Sequence, residues 1–243
     1  MYSILEFLYP PRCPICDGVR FSDEPVCCPS CIEQVSYVSA PYCMCCGRPI
    51  ERDDREFCYD CSRKKRNYSG GVSLGAYEGA LKESVLRFKF HGREEFASWY
   101  AEKLTERYEK ELFRFHATLI LPVPMHKRKE RRRGYNQAAS LAKELSERLS
   151  VPVRSDILLR TRYTEPQKNL NDVARLQNLL NAFAVEEEKL TEYKKNHSIE
   201  RVILVDDIYT TGSTMEACAR VLKKAGVERI MPVTIAVAGG YTE

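Results

Sequence analysis

The densest chemistry in the sequence lies in RVILVDDIYTTGSTMEAC, residues 201–218: an apolar run, two adjacent carboxylates, a loop of hydroxyl and glycine residues, then a helical pattern. Small hydroxyl residues around a glycine at a helix amino terminus present backbone N–H and side-chain O–H donors, and the helix dipole favours negative charge there. Thr210, Thr211, Gly212, Ser213 and Thr214 are therefore expected to cradle a phosphate. Asp206 and Asp207, just before them, supply acceptors for the vicinal hydroxyls of a ribose. Donors for phosphate beside acceptors for sugar describe a ribose 5-phosphate. The two acids alone fit an ordinary strand end before a capped helix, and only the full strand, loop and helix string carries the assignment.

A second chemistry fills the amino-terminal quarter. Ten of the eleven cysteines fall between Cys13 and Cys61, and eight form C-x2-C pairs: Cys13/Cys16, Cys28/Cys31, Cys43/Cys46 and Cys58/Cys61. Each pair begins fifteen residues after the last, an internal repeat of metal knuckles. Two thiolates on a tight turn reach one ion, and two turns complete the tetrahedral shell that structural zinc accepts, so eight ligands predict two zinc ions. Adjacent knuckles pairing, or the first with the third, both satisfy this spacing. A disulfide framework would need an oxidising compartment, and no leader points there, so a reduced, cytoplasmic setting is expected. Cys27 and Cys45 are spares, and metal is expected to supply most of the folding free energy of a segment so poor in apolar residues.

The net charge of +4 is uneven: Lys127–Arg133 and Arg63–Arg66 carry +9 between them, leaving −5 elsewhere. Local basic patches point to phosphate contacts rather than a general affinity for acidic surfaces. With Arg162, Lys168 and Arg175, and with Tyr59, Tyr68, Tyr135 and Tyr163 near them, the patches could form a track for single-stranded nucleic acid. Set against that, such runs are often only solvated faces, and such tyrosines are more often packing residues. At 44% hydrophobic and 30% charged residues, and with no apolar run long enough to span a bilayer, membrane insertion is not expected. The opening MYSILEFLYPP is expected to be a retained, short apolar helix.

These groups need a scaffold. The cysteines stop near residues 62–68, which divides the chain into a zinc module at 1–66 and a second domain at 67–243. Strands are expected at Val72–Tyr77, Ala117–Val123, Arg201–Val205 and Arg229–Val237, with a weaker one at Asp156–Leu159. Helices are expected at Leu81–Phe90, Glu94–Phe115, Asn136–Leu149 with Asn136 as cap, Asp172–Leu180, and Ser213–Ala225 closed by Gly226. The polar stretch Glu186–Glu200 is taken as a surface excursion. Such alternation predicts an α/β fold, a doubly wound parallel sheet whose ligands sit at the carboxyl ends of the strands.

The 201–218 string resembles the signature by which type I phosphoribosyltransferases bind phosphoribosyl pyrophosphate (PRPP): hydrophobic residues, two acids, then T-T-G-x-[ST]. LPVPMHKRKERRRGYNQA at 121–138 and TEPQKNLNDVARLQNLLNAF at 164–183 resemble two further blocks of the ComF family, competence-associated, phosphoribosyltransferase-like proteins that often carry an amino-terminal zinc module. The resemblance spans nearly the whole chain. It implies that Asp206 and Asp207 bind the ribose hydroxyls and Thr210–Thr214 the 5-phosphate, while Met125, His126, Lys127 and Arg128 form a pyrophosphate loop, with magnesium bridging the ligand's oxygens. Gln167, Lys168 and Arg175, and the basic Arg131, Arg132 and Arg133, become candidates for a lid, an acceptor wall or a nucleic-acid contact. Two functions follow from the family: transfer of a phosphoribosyl group to an unidentified acceptor, or a non-catalytic PRPP sensor that binds single-stranded DNA beside the DNA-uptake machinery.

Overall fold

The computed structural model describes residues 10–21, 24–162 and 181–239. The expected amino-terminal helix, the helix at Asp172–Leu180, Tyr163 and the candidates Gln167, Lys168 and Arg175 lie outside them. In chain order the elements are α1 (Pro29–Ile32), α2 (Tyr59–Arg63), β1 (Val72–Ala76), α3 (Gly79–Phe90), α4 (Phe96–Arg107), α5 (Glu109–Phe115), β2 (Leu119–Pro122) and α6 (Lys127–Arg133). Then follow α7 (Gln137–Leu149), β3 (Leu158–Arg160), β4 (Phe183–Val185), α8 (Glu187–Lys194), β5 (Arg201–Tyr209), α9 (Ser213–Lys224) and β6 (Arg229–Val237). No helix among the described residues is long and apolar enough to cross a membrane.

Four parallel strands make the sheet, in the order β1-β6-β5-β2. Strand alternation divides the apolar run of β5 between two cores: Ile203 and Val205 pack with Trp99, Tyr100, Leu141 and Leu145 on one face, and Val202 and Leu204 with Met215, Cys218 and Leu222 on the other. A sheet covered on both faces explains the near-continuous hydrophobic runs of its strands. The helix α7 starts where the sequence places it, the Asn136 side chain accepting from the Ala138 N–H at 3.1 Å.

Three expectations change. The span Glu94–Phe115 is two helices, not one, because the chain breaks at Tyr108, whose ring is buried and whose hydroxyl donates to the Ser73 carbonyl under β1. The weak strand near Asp156–Leu159 does not join the sheet; β3 pairs antiparallel with β4 in a separate two-stranded unit. Glu186–Glu200 is not merely a surface excursion, since α8 buries Leu190 and Tyr193 in the second core.

The cysteine segment is built into this body. Cys13, Ile15, Cys31 and Val35 belong to the first core, and Val38, Cys43, Cys46, Ile50 and Cys58 to the second, so the two halves of the segment cover opposite faces. Between them, residues 36–38 run along the free edge of β1: Val38 N–H donates to Leu74 O at 3.0 Å and Ala76 N–H to Ser36 O at 2.8 Å. The edge strand thereby loses its unpaired backbone groups. Metal is thus joined by apolar burial against the sheet as a source of this segment's stability.

Backbone meets backbone where the segment docks. A Cβ on Gly71 would lie 2.8 Å from Cys45 O, and Gly71 N–H donates to that same carbonyl at 3.1 Å. Gly71→Ala should therefore destabilise the protein by about 1–3 kcal/mol, seen as a fall in thermal midpoint on the order of 5 °C in a melting experiment. An unchanged midpoint would mean that the ribbon backbone yields freely.

Candidate functional site

The parallel pairing of β2 and β5, in register from Leu119↔Val202 to Pro122↔Val205, brings their carboxyl ends to one edge of the sheet. There β5 continues through Asp206 and Asp207 to Tyr209, longer than the sequence suggests. The segment after β2 begins beside it, with Val123 N–H donating to Val205 O at 2.8 Å. Met125, His126, Lys127 and Arg128 are thus delivered to the same edge as the two acids and the loop Thr210–Thr214.

The acids are not equivalent. On a strand, successive side chains point to opposite faces, and their partners follow that rule: Lys89 of α3 holds Asp207 at 2.9 Å, whereas Asp206 lies toward Arg160 of β3 and Cys218 of α9. Asp206 also accepts from the Asp207 N–H at 2.9 Å. Burial, with the Asp207 charge beside it, pushes the Asp206 carboxyl up to about 7. One acid is thus held by a cation, while burial favours the neutral form of its neighbour.

The loop is shaped by one residue that only glycine can fill. Gly212 has φ +75° and stands as the cap of α9, and a Cβ there would run into the Tyr209 and Tyr68 hydroxyls. Those hydroxyls are 2.8 Å apart and buried, and burial pushes both phenols up, so each remains an O–H and one donates to the other. Thr211 and Ser213 hydroxyls lie 2.9 Å apart at the mouth of the helix. The twelve-residue α9 then directs its positive end at this loop.

The basic run, which the sequence leaves as a turn and a patch, forms a helix capped by His126, whose Nδ1 accepts from the Arg128 N–H at 3.2 Å. Its members diverge. Arg133 turns inward, donating to Gln137 Oε1 at 2.6 Å with its guanidinium 4.9 Å from the Phe90 ring centre; burial lowers its pKa and the nearby Asp207 offsets this. Lys127, Arg128, Arg131 and Arg132 are exposed. In the other basic run, Arg63 is exposed and lies over the Tyr59 ring at 4.1 Å, while Arg66 is half-buried and donates to Thr211 O at 3.0 Å. Arg66 is therefore a bond to the loop rather than part of an open track, and Tyr68 and Tyr135 are packing residues: Tyr68 is buried, and the Tyr135 hydroxyl donates to Phe88 O.

Sequence reasoning misses Lys89, Arg160 and the brace formed by Asn67 and Glu216, where both Asn67 nitrogens donate to the Glu216 carboxylate, at 3.0 and 2.6 Å. Lys89 reaches the site through the crossover from β1 into α3, and no local pattern marks it. Glu216 is 1% exposed in the first turn of α9; its place one turn after the loop is visible in the sequence, its burial is not.

Away from this edge the eight knuckle cysteines gather into two quartets, Cys13/Cys16/Cys28/Cys31 and Cys43/Cys46/Cys58/Cys61, each with its sulfurs within 4.8 Å of one another. Adjacent knuckles pair, which settles what the spacing left open. A tetrahedron with zinc–sulfur bonds of about 2.3 Å has sulfur–sulfur edges of about 3.8 Å, and Cys16–Cys28 and Cys46–Cys58 stand at 3.9 and 3.8 Å. The donor sets fit zinc in closed, structural sites. Cys27 lies 3.8 Å from Cys13 Sγ, and Cys45 donates to Tyr68 O at 3.4 Å; both stand outside the quartets.

Comparison with known proteins agrees on both halves. A family described as a double zinc ribbon domain matches residues 4–62, and one described as a phosphoribosyl transferase domain matches residues 132–243. The chain is 33% identical to Competence protein F of Haemophilus influenzae over 226 residues, 90% of this chain and 93% of that one. It is 29% identical to Competence protein ComFC of Bacillus subtilis, covering 84% and 80% of the two chains. Against the DNA utilization protein YhgH of Escherichia coli strain K12 the identity is 28%, over 90% and 86%.

Purified without chelator, the protein should hold two zinc ions by elemental analysis, and Cys61→Ser should lower this to one. A count unchanged by the substitution would exclude Cys61 as a ligand. Asp206 gives a second expectation. Its folded-state value lies above that of an unfolded carboxyl, so it costs nothing below about pH 4, lowers stability as pH rises toward about 7, and adds nothing further beyond. Asp206→Asn should thus stabilise the ligand-free protein in urea more at pH 8 than at about pH 5; equal gains would show an ordinary, unshifted carboxyl.

Proposed function

This chain belongs to the ComF family of competence-associated, phosphoribosyltransferase-like proteins, and from that premise we propose that the edge formed by β2, β5 and the start of α9 binds PRPP with magnesium and transfers its phosphoribosyl group to an acceptor. The observation that carries the reading is the convergence, on one sheet edge, of the Gly212 turn at a helix amino terminus, the Asp206–Asp207 pair and the basic segment after β2.

In this reading the N–H and hydroxyl groups of Thr210–Thr214 hold the 5-phosphate, and Asp207 and Asp206 accept from the ribose hydroxyls. Lys89, 2.9 Å from Asp207, orients that carboxylate toward the sugar and balances its charge. Met125–Arg128 line the pyrophosphate, with the exposed Lys127 and Arg128 offsetting its charge. Hard oxygen donors suit magnesium, which Asp206 or Asp207 would help to hold, and the bound ion would neutralise phosphate charge. The bond from the ribose C1 to pyrophosphate oxygen breaks, a new bond forms from C1 to the acceptor's nucleophile, and the acceptor's proton leaves. Because the transition state is cation-like, the chain's contribution is to position these groups, set negative charge near C1 and keep water out.

A second reading keeps PRPP binding without turnover, as a sensor that binds single-stranded DNA during DNA uptake; two of the relatives are named competence proteins. It is favoured by the exposed Arg131 and Arg132 beside the site and by the exposed Arg63–Tyr59 pair, a cation and an aromatic ring of the kind that hold backbone and base.

Calorimetry with magnesium should detect PRPP binding, and Asp207→Ala should weaken it about 10- to 100-fold, the worth of one or two charge-assisted hydrogen bonds. Pyrophosphate release across a panel of candidate acceptors separates the readings: release abolished by Asp207→Ala supports the transferase, and binding with no release supports the sensor. No heat with either PRPP or ribose 5-phosphate would remove both.

A further inference from the structure

The loop Thr210–Thr214 is held from behind by the second ribbon. Arg48 follows directly on the Cys43/Cys46 knuckle and is 6% exposed. One of its terminal nitrogens donates to Asp60, between the ligands Cys58 and Cys61, at 3.1 Å; the other donates to Thr210 O at 2.8 Å. A single guanidinium thus ties both knuckles of one metal site to the first residue of the loop. The next carbonyl, Thr211 O, takes its bond from Arg66, three residues beyond Arg63, the last residue of α2. Because N–H and C=O point opposite ways across a trans peptide, fixing these two carbonyls on cations turns the N–H groups of Thr211 and Gly212 away from the ribbon, as an anion cradle requires. Glycine at 212 completes the turn against Tyr68, from the same connecting segment.

We propose that the second zinc ribbon is a structural part of the anion site: through Arg48 and Arg66, as positioning residues, the metal-bound knuckles set the loop's geometry and hence its affinity for a phosphate-bearing ligand. This deepens the PRPP reading and rests on it for the identity of the ligand. The first ribbon serves as an internal contrast. Its hydrogen bonds to the body go elsewhere: Ile15 O accepts from Arg87 at 2.7 Å, and Asp17 pairs with Arg93, also at 2.7 Å. A buried arginine bonded on both sides is geometrically demanding, because its fork spans two acceptors that a lysine cannot reach together.

The test uses full-length, zinc-loaded protein with Arg48→Met and Arg48→Lys. Three quantities are measured: zinc content, amide hydrogen exchange in the peptide spanning 210–214, and the dissociation constant for PRPP with magnesium. Arg48→Met should keep two zinc ions yet show faster exchange in that peptide and PRPP binding weaker by tenfold or more; Arg48→Lys should recover part of both. Cys61→Ser should accelerate the same peptide, whereas Cys16→Ser in the first ribbon should leave it unchanged. Wild-type exchange rates in Arg48→Met overturn the proposal, whatever happens to the affinity. If the wild-type protein binds no PRPP, the PRPP reading fails by itself, and the exchange data still decide whether the ribbon braces the loop.

Discussion

The turn at Gly212 is the constraint around which the rest of this edge is arranged. Its positive φ and the two phenolic hydroxyls that occupy the place of a Cβ admit no side chain, so the path from β5 into α9 has one shape. That shape aims the helix amino terminus outward. It also requires Tyr68 and Tyr209 to stay buried and hydrogen-bonded to each other, which in turn fixes the segment joining the ribbons to the sheet. Enlarging this residue would disturb the loop, the helix start and the ribbon contact together.

The zinc module and the sheet are often separable ideas in sequence, one a metal-bound repeat and the other a folded body. Here the two ribbons grip opposite faces of one sheet, and the strand-like stretch between them seals its edge. Small metal-stapled units commonly lack a core of their own. These borrow one, contributing Ile15 and Val35 to one face and Val38 and Ile50 to the other. A structural metal so placed has consequences beyond its own knuckles.

Charge in this protein is sorted by depth. Runs that look uniform along the chain split into cations that serve the interior and cations that face water. Arg66 and Arg133 turn inward to carbonyl and amide oxygens, while Arg63, Arg131 and Arg132 stay in solvent. The same sorting separates Asp206 from Asp207, one pushed toward neutrality by burial and the other anchored by Lys89. Adjacent identical residues acquire different chemistry because strand alternation hands them to different faces.

Local patterning by itself determined the strand, loop and helix around residues 201–218, the cap at Asn136 and the eight metal-ligating cysteines, because period, turn chemistry and ligand spacing are written within a few residues of one another. It also placed the basic segment after β2, since a buried apolar run ending in proline marks a strand's end. What it left open needed three dimensions. Which knuckles pair, that Tyr108 interrupts a helix to reach β1, that Lys89 meets Asp207, and that Arg48 reaches Thr210 across 162 residues of sequence are all set by how elements cross and pack. A side chain's partner is decided by the fold when the two lie far apart along the chain, for the free energy of such a contact depends on burial and geometry that no local window contains.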